Sequence, residues 1–499
     1  MKKLTTIAGI TAVTSLLPLP LLADSSDEKS SPTQQPNIIL VMSDDQGWGD
    51  VAYNGNKTVK TPHLDTMARE GVRLDRFYAA APVCSPTRGS CLTGRHPYRY
   101  NIQWAGEKGL PAEEITLAET LREAGYATGH FGKWHIGQLS KTVKQTYFPG
   151  DKADPEHYSP PWENGYDVTF ATAASVPTYN PYFHDSPELG QPGYKFIMDK
   201  PVAHGSTIGV RVRENYWTGP GQFVDENLAG EDSEILMSRA LQFIQNNAKE
   251  QKPFFTSIWF HSPHTPIVAG DKMRALYPDE SIERQHWFGC LSAIDVEIGR
   301  LRKLLKKLGI ADNTIVWFCS DNGPSYIHNH NSSRPFRGKK ATLWEGGIRV
   351  PGIVEWPARI KGQRVIDVPM STSDFYPTLL SAAGVPTPEK QPVIDGENVL
   401  PILTGQQPKR STPIAFQAPV MNDKNVHAKK GSLQLCLQGD QYKLISFDGG
   451  ASWQLYDLLN DKEEQNDIAQ KHPELVQKMA ETLKQWTASC SHSAQGKDY

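Results

Sequence analysis

The chain has 499 residues, 38% of them hydrophobic and 21% charged, with a formal net charge of -3. That balance describes a globular protein with room for one large domain and a smaller one, and excludes a disordered, collagenous or coiled-coil chain. The near-neutral charge and the lack of a Lys/Arg-rich run exclude a dedicated nucleic-acid binder, which needs a basic face to neutralise phosphates, so any preference for anions has to be local.

Met1-Lys2-Lys3, followed by an apolar run broken by Pro18 and Pro20 and closing at Leu21-Leu22-Ala23, reads as a cleaved export signal over residues 1–23. It is too short to span a bilayer, and no later segment has the roughly 20 consecutive apolar residues of a membrane helix, so the mature chain is expected to be exported, periplasmic or secreted. Continuous apolar runs at Asn37 to Ser43, Phe254 to Phe260 and Thr314 to Cys319 predict strands covered on both faces, as in a parallel sheet. Helices are punctuated between them: Thr61-Pro62 opens one that Gly71 closes, and Thr116 with Glu119 forms the capping box of another ended by Gly125. The expected architecture is α/β, a mixed and largely parallel central sheet flanked by helices, in a catalytic domain over 24–402. From 142 to 230 the pattern lapses into Pro, Gly, Tyr, Trp and His, far longer than an ordinary connection, and reads as an elaborated surface insertion. Beyond 403, strand-like pieces at Gly431 to Gln438, Gln441 to Phe447 and Gln454 to Asp457, then a helix near His472 to Thr487, predict a smaller α+β subdomain of antiparallel sheet plus helix over 403–499. Six scattered cysteines make no disulfide framework, and one or two bridges stay open.

Each long apolar run is followed by polar residues: Asp44-Asp45, then His261 and His264, then Asp321-Asn322. Lys133 and His135 follow the shorter strand Ala127 to Phe131 in the same way. Open α/β sheets bind ligands beyond the carboxyl ends of their strands, so the four groups are expected to converge on one crevice. Asp44, Asp45, Asp321 and Asn322 offer only oxygen, which points to a hard cation, and calcium is preferred over magnesium because it tolerates many carboxylates in irregular geometry. Three carboxylates around a divalent ion leave about one excess negative charge, which would repel an anionic ester unless Arg88, Lys133 and Lys340 compensate.

Cys84-Ser85-Pro86-Thr87-Arg88 opens a further predicted helix, whose positive end favours an anion at residue 84. No base adjoins Cys84, and an unassisted thiol with a pKa of about 8.5 is mostly protonated at neutral pH, so this cysteine does not read as an activated thiol. A thiol attacking sulfur would also leave a stable adduct that needs a separate hydrolysis.

The pattern C-x-P-[ST]-R with Leu92-Thr93-Gly94 resembles the signature of the formylglycine-dependent sulfatases of the alkaline-phosphatase-like superfamily. Asp44 to Asp50, Gly132 to His135, His264-Thr265-Pro266, Ser320 to Gly323, Lys340 to Pro351 and Leu455 to Leu458 are similar to successive blocks of that family, in its order. The resemblance implies that Asp44, Asp45, Asp321, Asn322 and a Cys84 converted to formylglycine (3-oxoalanine) by a separate maturation enzyme bind Ca²⁺. It further implies that Arg88 orients the modified residue, Lys133 and Lys340 hold the sulfate, His135 assists its elimination and His264 protonates the leaving alcohol. Asp321 is also placed to take the proton of the attacking hydroxyl. One departure is Lys339 where the family often has Gly; the distance to Glu345-Gly346-Gly347 prefers Lys340, with Lys339 in reserve.

The expected substrate is a sulfated carbohydrate, a polysaccharide of the carrageenan type being the specific candidate. Trp162, Tyr166, Tyr179, Tyr182, Phe183 and Trp217 suit stacking on sugar rings and suit a satellite core equally. His328, Asn329, His330, Asn331 and Arg334 are tethered near the site by their place between Asp321-Asn322 and Lys340. Two other readings compete: a phosphatase or phosphodiesterase of the same superfamily, which a Cys at 84 disfavours, and a non-catalytic glycan-binding protein with an unconverted thiol.

Overall fold

The computed structural model describes residues 1, 9, 35–143, 145, 154–181, 215–224, 226–325, 332–421 and 430–499. Nearly all of the leader read at 1–23 lies outside them. Ten strands form the main sheet, in the order Arg364–Ile366, Val72–Leu74, Gly352–Glu355, Thr314–Ser320, Asn37–Ser43, Phe254–Trp259, Ala127–Lys133, Val168–Thr172, Tyr216–Gly219 and Gln222–Val224. The five from Thr314–Ser320 to Val168–Thr172 are mutually parallel. Antiparallel pairings adjoin this block on both sides.

The continuous apolar runs follow from this geometry. Alternate residues of a strand face opposite ways, and here both faces are covered: Ile38, Leu40 and Met42 enter one core while Ile39 and Val41 enter another. Phe255 and Trp259 divide from Phe254 and Ile258 in the same way, as Ile315 and Trp317 do from Val316 and Phe318.

The capping box of Leu117–Glu123 forms as expected, with Glu119 N donating to Thr116 Oγ1 at 3.1 Å and Thr116 N to Glu119 Oε2 at 2.8 Å. Thr61 precedes the helix Pro62–Glu70 but does not cap it, because its hydroxyl accepts from Ala52 N at 2.9 Å instead. The segment read as an insertion over 142–230 is not confined to the surface: it supplies Val168–Thr172, Tyr216–Gly219 and Gln222–Val224 to the main sheet. Helices Asp232–Lys249 and Ile282–Lys307 are the longest packed around that sheet. All six cysteines are free and buried, which closes the disulfide question. Among the described residues no helix is long and apolar enough to cross a membrane.

A second, antiparallel sheet joins Ile414–Pro419, Leu433–Gln438, Tyr442–Ser446 and Gln454–Asp457, followed by the helix Pro473–Ser493. That helix is fastened by Arg99, whose guanidinium pairs with both oxygens of Asp395 at 2.7 and 2.8 Å and donates to Ser489 and Ser493 at 2.9 Å. Trp486 Nε1 donates to the same carboxylate at 2.8 Å. Truncating Arg99 leaves the half-buried Asp395 carboxylate without its cation, held only by Trp486 and His96 N, so Arg99→Ala is expected to cost about 1.5–3 kcal/mol in chemical denaturation. Arg99→Lys, lacking the planar fork, should recover less than half of that loss.

Candidate active site

The parallel strands end almost level, with Ser43 opposite Ser320 and both Met42 and Gly132 opposite Trp259. Beyond these ends the backbone is cross-tied: Asp44 N donates to Ser262 O at 3.0 Å, Asp321 N to Ser43 O at 3.1 Å and Asp45 N to Asp321 Oδ1 at 3.0 Å. Gly132 permits the close approach, since at φ 115° a Cβ would lie 1.9 Å from Trp259 O. Asp45 and His135 both occupy the left-handed region, at φ 62° and 61°. Such conformations cost about 1–3 kcal/mol each and persist where the surroundings over-determine them, a pattern that gathers at functional sites.

Cys84 is the first residue of the helix Cys84–Thr93, every residue of which is buried. Thr87 Oγ1 donates to Ala81 O at 2.9 Å, and Ser85 Oγ accepts from Gly106 N at 2.9 Å, which locks the first turn. Cys84 Sγ lies 3.4 Å from Lys340 Nζ and 3.7 Å from Asp44 Oδ1. Burial pushes the thiol up to about 12, with Lys133 and Lys340 offsetting only part of the effect, so the residue is no thiolate nucleophile.

Three carboxylates and three cations interlock around it. Lys133 Nζ is 2.6 Å from Asp44 Oδ2, Lys340 Nζ 2.5 Å from Asp45 Oδ1, and Arg88 Nη2 2.7 Å from Asp321 Oδ2 and 3.5 Å from Asp44 Oδ2. Arg88 also donates to Lys133 O at 2.9 Å and lies over the Trp259 ring. Burial pushes Asp44 up, but Lys133, His264, Arg88 and Lys340 together outweigh it and hold the carboxyl well below its ordinary range. Asp321 goes the other way: burial, reinforced by the charge of Asp44, takes it to about 7 against Arg88 and Lys133. Burial lowers His264 to about 4 and His135 well below the usual imidazole range. His264 has Nδ1 2.6 Å from Thr265 O and Nε2 3.7 Å from Asp45 Oδ2, so Nε2 is the nitrogen turned toward the carboxylates.

Ligand atoms of Asp44, Asp45, Cys84 and His264 lie within 4.8 Å of one another. Asn322 spends Nδ2 on Asp45 Oδ1 at 2.6 Å and Gly323 O at 2.8 Å, leaving a buried Oδ1 with no partner among the described residues. Oxygens of two carboxylates and an orphaned amide carbonyl are the donors a hard cation takes, so the residues fit one. The close set includes His264, whereas Asp321 commits its oxygens to Asp45 N and Arg88. With three charges of each sign the site is neutral, and a divalent ion would bring it to about +2, a field suited to an anionic ester.

The remaining sequence candidates fall elsewhere. Trp217 is buried in the core with its ring 5.7 Å from Phe223, and half-buried Trp162 donates to Tyr158 OH at 3.1 Å; packing accounts for both. Tyr182, His328 and His330 lie outside the described residues. Arg334 is exposed, on a loop tied to the Asp44–Asp50 segment by Gly49 N donating to Ser332 O at 2.7 Å. Lys340 reaches Asp45, while the Lys339 carbonyl accepts from Thr342 Oγ1 at 2.7 Å. Sequence reasoning missed Thr172 and Asp232, which hold buried His261 at 2.6 and 2.7 Å; neither stands in a recognisable motif.

The family model described as Sulfatase matches residues 36–385, and that described as N-sulphoglucosamine sulphohydrolase, C-terminal, matches 338–489. N-acetylgalactosamine-6-sulfatase of Canis lupus familiaris is 30% identical over 474 residues, 90% of this chain and 78% of the relative. Steryl-sulfatase of Rattus norvegicus is 32% identical over 424 residues, 75% of this chain and 71% of the relative. Among solved structures, Ps i-CgsB in complex with k-i-k-neocarrahexaose superposes with a TM-score of 0.74 at 27% identity, covering 91% of this chain and 93% of its own.

A hard divalent cation that fits this site, supplied at about 100 times its dissociation constant, is expected to raise unfolding stability by about 2.7 kcal/mol, and a chelator to abolish the gain. Asn322→Ala should lose more than half of this shift in thermal denaturation; a full shift would remove Asn322 from the ligand set.

Proposed function

Because the chain belongs to the sulfatase family, whose model spans residues 36–385, we propose that it is an exported enzyme removing O-sulfate groups from a carbohydrate by way of a calcium-bound formylglycine at position 84. The observation that carries the reading is the placement of Cys84 at a helix start, within 3.4 Å of Lys340 and beside the carboxylates that Lys133 and Arg88 bridge. Asp44, Asp45, Asn322 and residue 84, with Asp321 or His264 completing the set, would hold the ion. Bound there, calcium would supply positive charge at the sulfate oxygens, and its tolerance of irregular oxygen sets favours it over magnesium. Formylglycine in place of the thiol would supply two geminal hydroxyls, one to accept the sulfuryl group and one whose deprotonation releases it.

The chain's own residues serve the two ends of that reaction. Lys133, paired here with Asp44, and Lys340, paired with Asp45, would hold the sulfate oxygens, and Arg88, fixed by Asp321 and Asp44, would orient residue 84. His264 directs Nε2 toward the crevice while Nδ1 donates to Thr265 O. Nε2 would first take up a proton, favoured by the negative charge of the bound ester, and then deliver it to the ester oxygen so that a poorly acidic sugar alcohol can leave. His135 is electrostatically coupled to Lys133, Arg88 and Asp44, and is assigned to the release of sulfate from residue 84.

A carbohydrate substrate is supported by two similar proteins, one acting on N-acetylgalactosamine-6-sulfate by its name and one holding a neocarrahexaose. Within that class a sulfated galactan of the carrageenan type is the specific choice, and Arg334, exposed on the loop tied to the Asp44–Asp50 segment, would meet it.

Matched sulfate and phosphate esters of defined oligosaccharides decide the activity: sulfate release is expected, and phosphate-only turnover would overturn the reading. Peptide mass spectrometry of the native protein should show residue 84 without its thiol, and Cys84→Ala should lower kcat on the order of 10³-fold or more. His264→Ala is expected to cost about 10²–10⁴-fold on a sugar sulfate and far less on an aryl sulfate, whose leaving group needs no proton. Equal losses on both would remove His264 from the acid role.

A further inference from the structure

Lys340 stands on a loop that the main sheet does not hold by itself. Lys340 N donates to Pro324 O at 3.0 Å and Ala341 N to Pro82 O at 2.8 Å, and Ala341 sits in the left-handed region at φ 72°. Two further restraints reach this loop from the C-terminal sheet, roughly a hundred residues downstream.

The first is direct. Buried Gln434, in the strand Leu433–Gln438, accepts from Leu343 N at 2.9 Å and donates to Ala341 O at 2.8 Å, so one amide fixes the peptides immediately after Lys340. The second runs through the short helix Glu345–Ile348. Lys443, in the strand Tyr442–Ser446, places Nζ 3.0 Å from Glu345 Oε1 and 2.8 Å from Glu464 Oε1, with all three side chains inaccessible to solvent. Glu464 Oε2 accepts from Glu345 N at 2.7 Å, and the other Glu345 oxygen accepts from Tyr78 OH at 2.9 Å.

The helix held in this way touches both halves of the site. Gly347 O accepts from Gly323 N at 2.9 Å, directly after Asn322, and Gly346 N donates to Arg337 O at 2.7 Å, three residues before Lys340. Contact with Gly323 is close enough that a Cβ there would lie 2.1 Å from Gly346 O, so any shift of the helix is passed to Asn322. A buried Lys between two buried Glu is a costly arrangement, and replacing it with apolar residues of similar volume is often neutral for stability. Its geometry, with Lys443, Glu464, Tyr78 and also Arg349, at 3.3 Å, converging on Glu345, is that of a positioning device.

We propose that Gln434 and Lys443 of the C-terminal sheet, with Glu464 in the segment that follows its last strand, are positioning residues for Lys340 and Asn322, so that the C-terminal part sets the affinity of the site for sulfate. The inference rests on the reading of Lys340 as a sulfate-holding cation. None of the three touches the reacting atoms; they act by fixing the height and angle of the two segments that do.

The test uses the full-length, metal-loaded protein with inorganic sulfate as probe, titrated by calorimetry below the thermal transition. Misplacement of binding groups by about 1 Å costs up to 10²-fold, so Gln434→Ala and Glu464→Ala are expected to weaken sulfate binding about tenfold. Glu464→Gln keeps an acceptor for Glu345 N while losing the ion pair with Lys443. It should bind sulfate within about threefold of the parent although its melting temperature falls as far as that of Glu464→Ala, a separation that a purely structural role would not produce. Should Glu464→Ala fail to fold, Gln434→Ala, which removes three hydrogen bonds (with Leu343 N, Ala341 O and Pro419 O) and no charge, decides alone. Lys340→Met is the reference. If it weakens sulfate binding while folded Gln434→Ala does not, the positioning role falls and the assignment of Lys340 stands. If Lys340→Met binds sulfate as the parent does, the assignment falls and the proposal falls with it.

Discussion

The structure depends on a balance of charge in a place where water is scarce. Asp44, Asp45 and Asp321 with Arg88 and Lys133 are all essentially inaccessible, and Lys340 is nearly so. Isolated, any one of them would be driven to neutrality or to the surface, because a buried unpaired charge costs several kcal/mol. Together they form an interlocked set in which each cation faces a carboxylate within 2.7 Å. The same set explains why the two aspartates diverge, Asp44 held far below its ordinary range and Asp321 raised to about 7. The fold's contribution is the level ending of parallel strands, which brings residues hundreds of positions apart into one volume.

The sequence exposed the parts of this arrangement where local pattern and site coincide. Asp44-Asp45 and Asp321-Asn322 directly follow seven-residue apolar strands, so the topology of a parallel sheet was enough to bring them together. Lys133 and His135 were legible for the same reason, and Cys84 because a helix begins at it. The antiparallel pairings beside the parallel block were not legible. Val72–Leu74 and Gly352–Glu355 are three and four residues long, too short for periodicity to register. Trp217 stayed open between sugar platform and core because an aromatic in an irregular segment looks the same whether it faces solvent or, as here, pairs across a strand with Ala171 in the core.

What stayed hidden shares one property: its meaning lies in partners far along the chain. Gln434 and Lys443 are unremarkable polar residues in β-strands until the loop around Lys340 is seen against them. Asp232 reads as an ordinary helix-start acid, yet its carboxylate takes both Tyr216 OH and His261. His261 in turn sits in the turn that delivers His264, whose N donates to His261 O at 2.8 Å. A motif records which residues meet the substrate; the scaffold that aims them is written in pairings that no local window contains.

The Cys84–Thr93 helix, buried along its whole length, has a consequence for timing. A protein that chemically alters Cys84 has no route to it once the surrounding elements have closed. A late-arriving one is the loop of Lys340, whose ammonium lies 3.4 Å from the Cys84 sulfur and which follows it by 256 residues. At ordinary elongation rates that interval is roughly 13–50 s. Access to the side chain is therefore governed by a clock, the delay between synthesis of the helix and arrival of the loop that closes over it, and slower folding would lengthen the interval in which such a protein could reach the residue.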